Sequence, residues 1–357
     1  MTSDAHEPVT YAGAGVDVEA GDRAVELMRE WVARTRRPEV VGGLGGFAGL
    51  FDASALRDYR RPLLATSTDG VGTKVQIAQR LDRHDTIGFD LVGMVVDDIV
   101  VAGAEPLFMT DYIACGSVVP ERIAAIVKGI AQACVVAGCA LSGGETAEHP
   151  GLLGPDEYDL AGAVTGVVEA DEVLGPDRVR AGDVLVAMAS SGLHSNGYSL
   201  VRHVLLGAGR MRLDAVVDEL GNQRSLGEEL LTPTRIYAKD CLALKDETAV
   251  HAFSHITGGG LAGNVARILP ASLDAVIDRS SWAPQPIFDL VSVRGRIEQH
   301  EMERTFNMGV GMVAIVGKED ADRALALLTA RHIPAWVVGE IVRGTAEARL
   351  VGAYATR

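Results

Sequence analysis

Short apolar runs that end in glycines, hydroxyls and carboxylates recur along this chain, and they limit it to folds in which strands deliver turns into helices. The tightest is Pro62-Leu63-Leu64-Ala65, followed closely by Thr68-Asp69-Gly70-Val71-Gly72-Thr73-Lys74. Gly70 and Gly72 let backbone N–H groups approach an anion. Thr73 adds a hydroxyl, Lys74 adds positive charge, and Asp69 suits a divalent cation held between protein and phosphate. The order differs from G-x-x-x-x-G-K-[ST], since Thr73 precedes the lysine and the glycine spacing is wrong. Taken alone, the Asp69-Gly70 pair equally suits a hairpin turn, so its companions have to discriminate.

Composition bears on the same point. Glycine numbers 41 of 357 residues, well above the roughly 7% of average usage, and the excess falls in clusters beside hydroxyls and carboxylates. The length accommodates two domains with full cores. A formal net charge of −15 argues against nucleic-acid binding, which needs a basic patch, but leaves room for a small anionic ligand held by local amides and cations. Cys115, Cys134, Cys139 and Cys241 form no C-x-x-C pair and read as reduced core thiols of a cytoplasmic protein. Met1–Pro8 has neither a basic nor an apolar segment, so no signal peptide is expected. No apolar run reaches the roughly 18 residues of a membrane span.

Residues 11–21 form a glycine-rich lead-in to a helix with Val25, Met28, Trp31 and Val32 at helical spacing, closed by Arg34, Arg36 and Arg37 and stopped by Pro38. Gly42-Gly43-Leu44-Gly45-Gly46 suits a lid, an anion nest or a plain linker. Phe89 to Gly103 reads as a helix carrying Asp90, Asp97 and Asp98; the adjacent pair suits divalent-cation ligation, with a solvated face as the alternative. A strand over 106–113 and a helix over 120–138 follow. Cys139-Ala140-Leu141 is a short strand into a turn, Ser142-Gly143-Gly144-Glu145-Thr146, whose amides suit an oxyanion and whose Glu145 suits a metal or a substrate donor. The strand pattern 158–168 closes the first half.

The boundary is expected within 168–182, giving an N-terminal domain over 1–170 and a C-terminal domain over 171–357. The second half opens with a strand over 182–189 and a polar, glycine-rich loop, 190–199, ahead of a helical pattern 200–206. In that loop His194 is a candidate acid or base. A helix over 234–244 and a strand over 250–256 lead to Thr257-Gly258-Gly259-Gly260 and a helix over 261–269, again the geometry that presents amides to phosphate. A strand ends at Val316, and a helix (320–328) and strand (335–341) finish the chain. The alternation predicts an α/β (α+β) protein. No G-x-G-x-x-G follows a first strand and no G-x-S-x-G occurs, which disfavours dinucleotide folds and α/β-hydrolases.

Together these segments closely resemble the phosphoribosylformylglycinamidine cyclo-ligase family, also called aminoimidazole ribonucleotide synthetases, of purine biosynthesis. The matching stretches are YAGAGVDVEAG, RRPEVVGGLGGF, TDGVGTK, HDTIGFDLVGM, GAEPLFMTDY, GGETAEHPG, DLAGAVTGVVE, SSGLHSNGYSLVR, PTRIY, HITGGG and EMERTFNMGVGM, in the family's order. The resemblance implies an N-terminal α/β domain whose strands form a barrel across a homodimer interface, with a C-terminal α/β domain packed on it. It also implies ATP- and Mg2+-dependent ring closure of formylglycinamidine ribonucleotide. On this reading Asp69, Asp98 and Glu145 bind metal, and Lys74 meets phosphate. Gly43, Gly45, Gly46, Gly70, Gly72, Thr73, Gly143 and Gly144 belong to the ATP site, and Thr257, Gly258, Gly259 and Gly260 hold the ribose phosphate. His194 and Asn196 handle the substrate amide and its proton. Asp97 departs from a frequent asparagine, which puts its role as a ligand in doubt, and Leu193 replaces a frequent proline. Selenophosphate synthetase and thiamine-monophosphate kinase are the neighbouring alternatives, although no cysteine precedes Cys115. A non-catalytic nucleotide sensor is the rival from another class, and it has no use for Asp69, Asp98, Glu145 and His194 together.

Overall fold

The computed structural model describes residues 10–43 and 45–356; the signal-peptide reading on Met1–Pro8 and the Leu44 position of the glycine run lie outside them. Asp17 accepts a hydrogen bond from Ala20 N–H and caps helix α1 (Val18–Arg34), which ends at its Thr35 C-cap, before Arg36, Arg37 and Pro38. A two-stranded ribbon, β1 (Val40–Val41) and β2 (Leu50–Phe51), brackets the glycine-rich segment. Strand β3 (Pro62–Gly70) leads through a 3-10 turn, Gly72–Lys74, into α2 (Val75–Leu81). Then come α3 (Ile87–Val100), β4 (Glu105–Cys115), α4 (Pro120–Ala137), β5 (Ala140–Glu148) and β6 (Tyr158–Glu169).

The N-terminal sheet has the order β3-β6-β4-β5. Its inner face carries Met109, Ile113, Leu160 and Val164, buried under α1, α3 and α4. The alternate residues face outward, and Leu64 and Tyr112 among them are exposed. β3 and β5 are open edges with one strand neighbour each.

The C-terminal half starts with β7 (Val184–Ala189). A single α-turn, α5 (Tyr198–Val201), runs into a π-helical segment, Arg202–Ala208, where a plain helix was expected. There follow α6 (Leu226–Leu230), α7 (Ala238–Glu247), β8 (Val250–His255), α8 (Gly260–Ala266), β9 (Leu273–Asp278), α9 (Pro286–Gly295), α10 (Gln299–Thr305), β10 (Val310–Val316), α11 (Ala321–Ala330), β11 (Ala335–Arg343) and β12 (Ala348–Val351). The sheet order is β12-β9-β11-β7-β10-β8. Helix α7 begins four residues later than the periodicity predicts: 234–237 stays outside the helix, and its Thr234 and Tyr237 amides donate to Asp90 and Asp97 of α3. One apolar core runs from the N-terminal helices across the seam into the inner side of this sheet; a second, smaller one backs its other side. The structure is thus a two-domain mixed α/β fold. The N-terminal sheet is open, and no closed barrel forms among the described residues. No helix among the described residues is long and apolar enough to cross a membrane.

Candidate functional site

The opening motif divides between a strand and a turn. Thr68, Asp69 and Gly70 pair with β6 in regular antiparallel register, Asp69 opposite Gly162, so the strand runs through the residues expected to form the loop. The chain turns only at Val71, whose N–H donates to Leu160 C=O at 3.1 Å. Gly72 follows at φ +72°, a conformation that glycine adopts without strain. Asp69 is left exposed at the end of β3, its Oδ1 accepting from Gly70 N–H.

Lys74 corrects an expectation. It is 0% exposed, and its ammonium donates to Asp90 Oδ1 (2.7 Å), His194 C=O (2.9 Å) and Thr232 C=O (2.7 Å). All three protons are used, so no phosphate contact is open to it. Burial disfavours both charges, drawing the lysine down and the aspartate up, while each partner opposes the shift of the other. Asp90 Oδ1 also accepts from Thr234 N–H and Oγ1, so this pair rivets the two domains together.

The three aspartates of α3 have three different jobs. Successive helical residues point about 100° apart, so Asp97 and Asp98 cannot share one face. Asp97 is fully buried, and both its oxygens accept from Tyr237 N–H at 3.1 Å. Burial raises its carboxyl to about 7, and the divalent-ligand reading of this residue is withdrawn. Asp98 lies on the seam with a side chain 40% exposed. Its Oδ1 is 2.9 Å from His255 Nδ1 at the end of β8, and its Oδ2 accepts a long bond, 3.4 Å, from Ser67 Oγ on β3. Ser67 shares a strand face with Asp69, so the two exposed carboxylates border one cleft.

The 190–199 loop meets this cleft from the C-terminal side. Ser199 Oγ is 3.1 Å from Thr73 Oγ1. Asn196 Nδ2 rests on Met94 Sδ of α3, with its Oδ1 beside Gly258. His194 is buried in the left-handed region, φ +61°. Its Nε2 accepts from Ser191 N–H at 3.1 Å, which puts the ring proton on Nδ1, a buried atom with no partner. Burial first, then the cations around it, hold its pKa well below the usual histidine range. With Nε2 already accepting from Ser191, Nδ1–H is the group this ring can offer a ligand.

The second glycine cluster also differs from expectation. Ser142 to Glu148 forms no turn; it continues β5, paired in parallel with β4. Gly144 lies opposite Asp111, and a Cβ there would overlap Asp111 Oδ1. Glycine is required by this close approach, in the absence of any amide nest. Asp111 is half-buried as a residue, yet its Oδ2 is out of solvent without a partner, and burial raises its carboxyl to about 7. It opens on a cavity of about 390 Å³ lined by Gly45, Gly46 and Phe47 on one side and Gly143, Gly144 and Glu145 on the other. An adjoining cavity of about 410 Å³ is bordered by Gly43 and Gly46. Glu145 pairs with Tyr112 and therefore points opposite to Asp111 and Asp69, three strands away from β3 and roughly 14 Å at sheet spacing. The trio Asp69, Asp98 and Glu145 is therefore split, and among the described residues no three His, Cys, Asp or Glu side chains form a metal cluster.

At the third cluster, Asn264 Nδ2 donates to the carbonyls of Thr257, Gly258 and Gly260. A Cβ on Gly260 would overlap Glu303 C=O. These glycines serve packing as well as any ligand, and Gly258 and Gly259 remain exposed. His255 and Asp111 are the site residues the sequence reading passed over. Asp111 had a readable signal, a carboxylate in phase with Leu107, Met109, Ile113 and Cys115 on an inward strand face. His255 had none, since its partner is 157 residues away.

Two α/β domains thus meet at a carboxylate–imidazole seam with glycine clusters beside it. Residues 52–168 match the family described as AIR synthase related protein, N-terminal domain, and residues 180–351 match the corresponding C-terminal domain. The chain is 53% identical over 334 residues to a phosphoribosylformylglycinamidine cyclo-ligase of Geobacillus thermodenitrificans, covering 94% of this chain and 96% of that one. It is 54% identical to its counterpart in Anaeromyxobacter sp. (strain Fw109-5), covering 95% and 98%. The chain belongs to the phosphoribosylformylglycinamidine cyclo-ligase family, a family of ligases. Among solved structures, the thiamine-monophosphate kinase of Stenotrophomonas maltophilia K279a superposes with a TM-score of 0.69 at 20% identity, covering 93% of this chain and 97% of the other. The hydrogenase maturation protein HypE of E. coli gives 0.63 at 18%, covering 94% of each. These two share the fold.

Proposed function

We propose that this protein closes the imidazole ring of 5-aminoimidazole ribonucleotide from formylglycinamidine ribonucleotide, using ATP and releasing ADP and phosphate, in the cytoplasm. The chemistry requires a poor leaving group to be replaced. The formamide oxygen accepts the γ-phosphoryl group, the amidine nitrogen attacks that carbon, and phosphate departs. The protein's tasks are positioning, charge neutralisation and proton placement.

The observation that carries the reading is the convergence of four motif segments on one seam: Ser67–Asp69, Asp98, His194–Ser199 and His255–Gly260, tied by the Asp98–His255 and Thr73–Ser199 contacts. Asp69 and Asp98 are exposed, oxygen-only groups, the kind magnesium accepts while keeping several waters. The ion would neutralise phosphate charge there. Asn196 is the candidate contact for the substrate amide, and His194 a donor through Nδ1–H. The cavities bordered by Gly43, Gly45, Gly46, Gly143 and Gly144 are the candidate nucleotide pocket.

A homodimer makes sense of the split between Asp69 and Glu145. The N-terminal sheet leaves both edges open and Leu64 and Tyr112 exposed on its outer face, a liability in a free protein. A two-fold axis that sets β5 of a second copy against β3 closes a barrel and removes the three-strand separation, with that copy's glycine cluster and Glu145 on the strand next to Asp69. The test of the activity is ADP release from magnesium–ATP with and without formylglycinamidine ribonucleotide, with the imidazole product followed in parallel. ATP hydrolysis independent of the ribonucleotide and without ring closure would refute it.

A further inference from the structure

Two cations next to this seam have no carboxylate to explain them. Among the described residues no hydrogen bond or ion pair reaches Arg80 or Arg202, and Arg202 Nε is buried without a partner. Arg202 lies one turn beyond Ser199, and Arg80 two turns beyond Thr73, so both extend from the sides of their helices that meet at the 3.1 Å hydroxyl contact. The two guanidiniums are close enough that Arg80, after burial, depresses the pKa of Arg202. Arg37, Arg60, Arg212 and Arg279 are all shifted the other way, each beside a carboxylate. In a chain with 48 acidic residues, two facing arginines without a counter-ion are an arrangement that an anion completes. The π-helical segment starts at Arg202, and such wide turns concentrate at functional sites.

We propose that Arg80 and Arg202, with the Thr73 and Ser199 hydroxyls, form the subsite for the 5′-phosphate monoester of the ribonucleotide substrate. Planar guanidinium forks match phosphate oxygens two at a time, and the hydroxyls supply further donors. The subsite lies on the same loop as Asn196, so a phosphate there leaves the other end of the ribonucleotide directed to the seam. On this assignment Arg80 and Arg202 take the place expected for Gly258–Gly260 as the phosphate subsite. The proposal rests on the ribonucleotide reading above, and its chemistry would equally suit a phosphate of ATP.

The test is calorimetric binding of ribose 5-phosphate, and separately of ATP, to the full chain and its variants. Arg202→Gln is expected to weaken ribose 5-phosphate by about tenfold or more, and Arg80→Gln by about threefold, from the loss of charge-assisted bonds. ATP affinity should stay within about twofold, and Arg202→Lys should recover part of the loss. Unfolding midpoints accompany each variant; should Arg202→Gln not fold, exposed Arg80 carries the comparison. Absence of ribose 5-phosphate binding, unchanged binding in both Gln variants, or an equal loss for ATP overturns the assignment. The binding arms need no turnover. A protein that binds ribose 5-phosphate through these arginines but closes no ring keeps the subsite and loses the ring-closure reading.

Discussion

The two edges of the N-terminal sheet look alike in sequence and differ in use. At each, an apolar strand runs into glycines and an acidic residue: Asp69-Gly70 and Gly72 at β3, and Gly143-Gly144-Glu145 at β5. At β3 the critical glycine, Gly72, supplies a positive φ and the chain turns into a helix, leaving Asp69 exposed at the seam. At β5 the critical glycine, Gly144, stays extended and makes room for Asp111. One edge thus offers exposed carboxylates, and the other a cavity with a single orphaned carboxyl. A glycine after an apolar run can answer either a dihedral or a clearance requirement, and only packing tells which.

The strongest way to break the comparison is at the seam. Asp98→Asn should lower turnover on the order of 10²-fold or more, because one change removes a phosphate-side carboxylate and the partner of His255. Stability should change little; a near-normal rate in a steady-state assay would remove Asp98 from the site. Lys74→Met acts oppositely. Breaking a buried pair by deleting one member costs about 3–5 kcal/mol, read as a lowered urea midpoint. Exposed Asp69→Asn should stay within about 0.5 kcal/mol while weakening magnesium–ATP. If Lys74→Met were as stable as wild type, the domain rivet would not exist.

The β5 edge carries a pH signature. Asp111 has a folded pKa of about 7, above its unfolded value of about 3.9. Between those values the folded state binds more protons than the unfolded one, so this residue makes stability fall as pH rises through that window. Asp111→Asn should therefore match wild type near pH 4 and exceed it near pH 8 in urea unfolding, unless a ligand already satisfies the carboxylate. A variant no more stable at the higher pH would contradict the burial of that group. The smallest expected effect is at Asp97: its oxygens are engaged by Tyr237 N–H, so Asp97→Asn should leave the affinity for magnesium–ATP unchanged, and a loss would restore it as a ligand.

Much of this fold is legible in the sequence. An apolar run too long for a strand located α3, which is buried on nearly every side, while helical spacing located α4, whose one-sided burial imprints its period on the sequence; strand patterns located β4 and β6. Residue roles were less legible wherever they depend on partners distant in the chain. Lys74 reads as an exposed phosphate contact until Asp90, His194 and Thr232 arrive from three directions. Asp97 and Asp98 read as a pair until the helix turns them apart. The Gly143-Gly144 strand reads as a turn because the parallel partner that holds it extended lies some 30 residues earlier, at Thr110–Tyr112. The open edges of β3 and β5 have no sequence signal of their own, since on the proposed dimer what covers them belongs to another copy.

On the proposed dimer the catalytic site combines the β3 edge of one copy with the β5 edge of another. Complementation tests it directly: inactive Asp98→Asn and inactive Glu145→Gln proteins are mixed, dissociated and reassociated. If the site spans the interface, half of the dimers are mixed and each carries one intact site, so ring closure should return to about a quarter of the wild-type rate. If each site lies wholly within one chain, the mixture will be as inactive as its components, and the shared-site account fails.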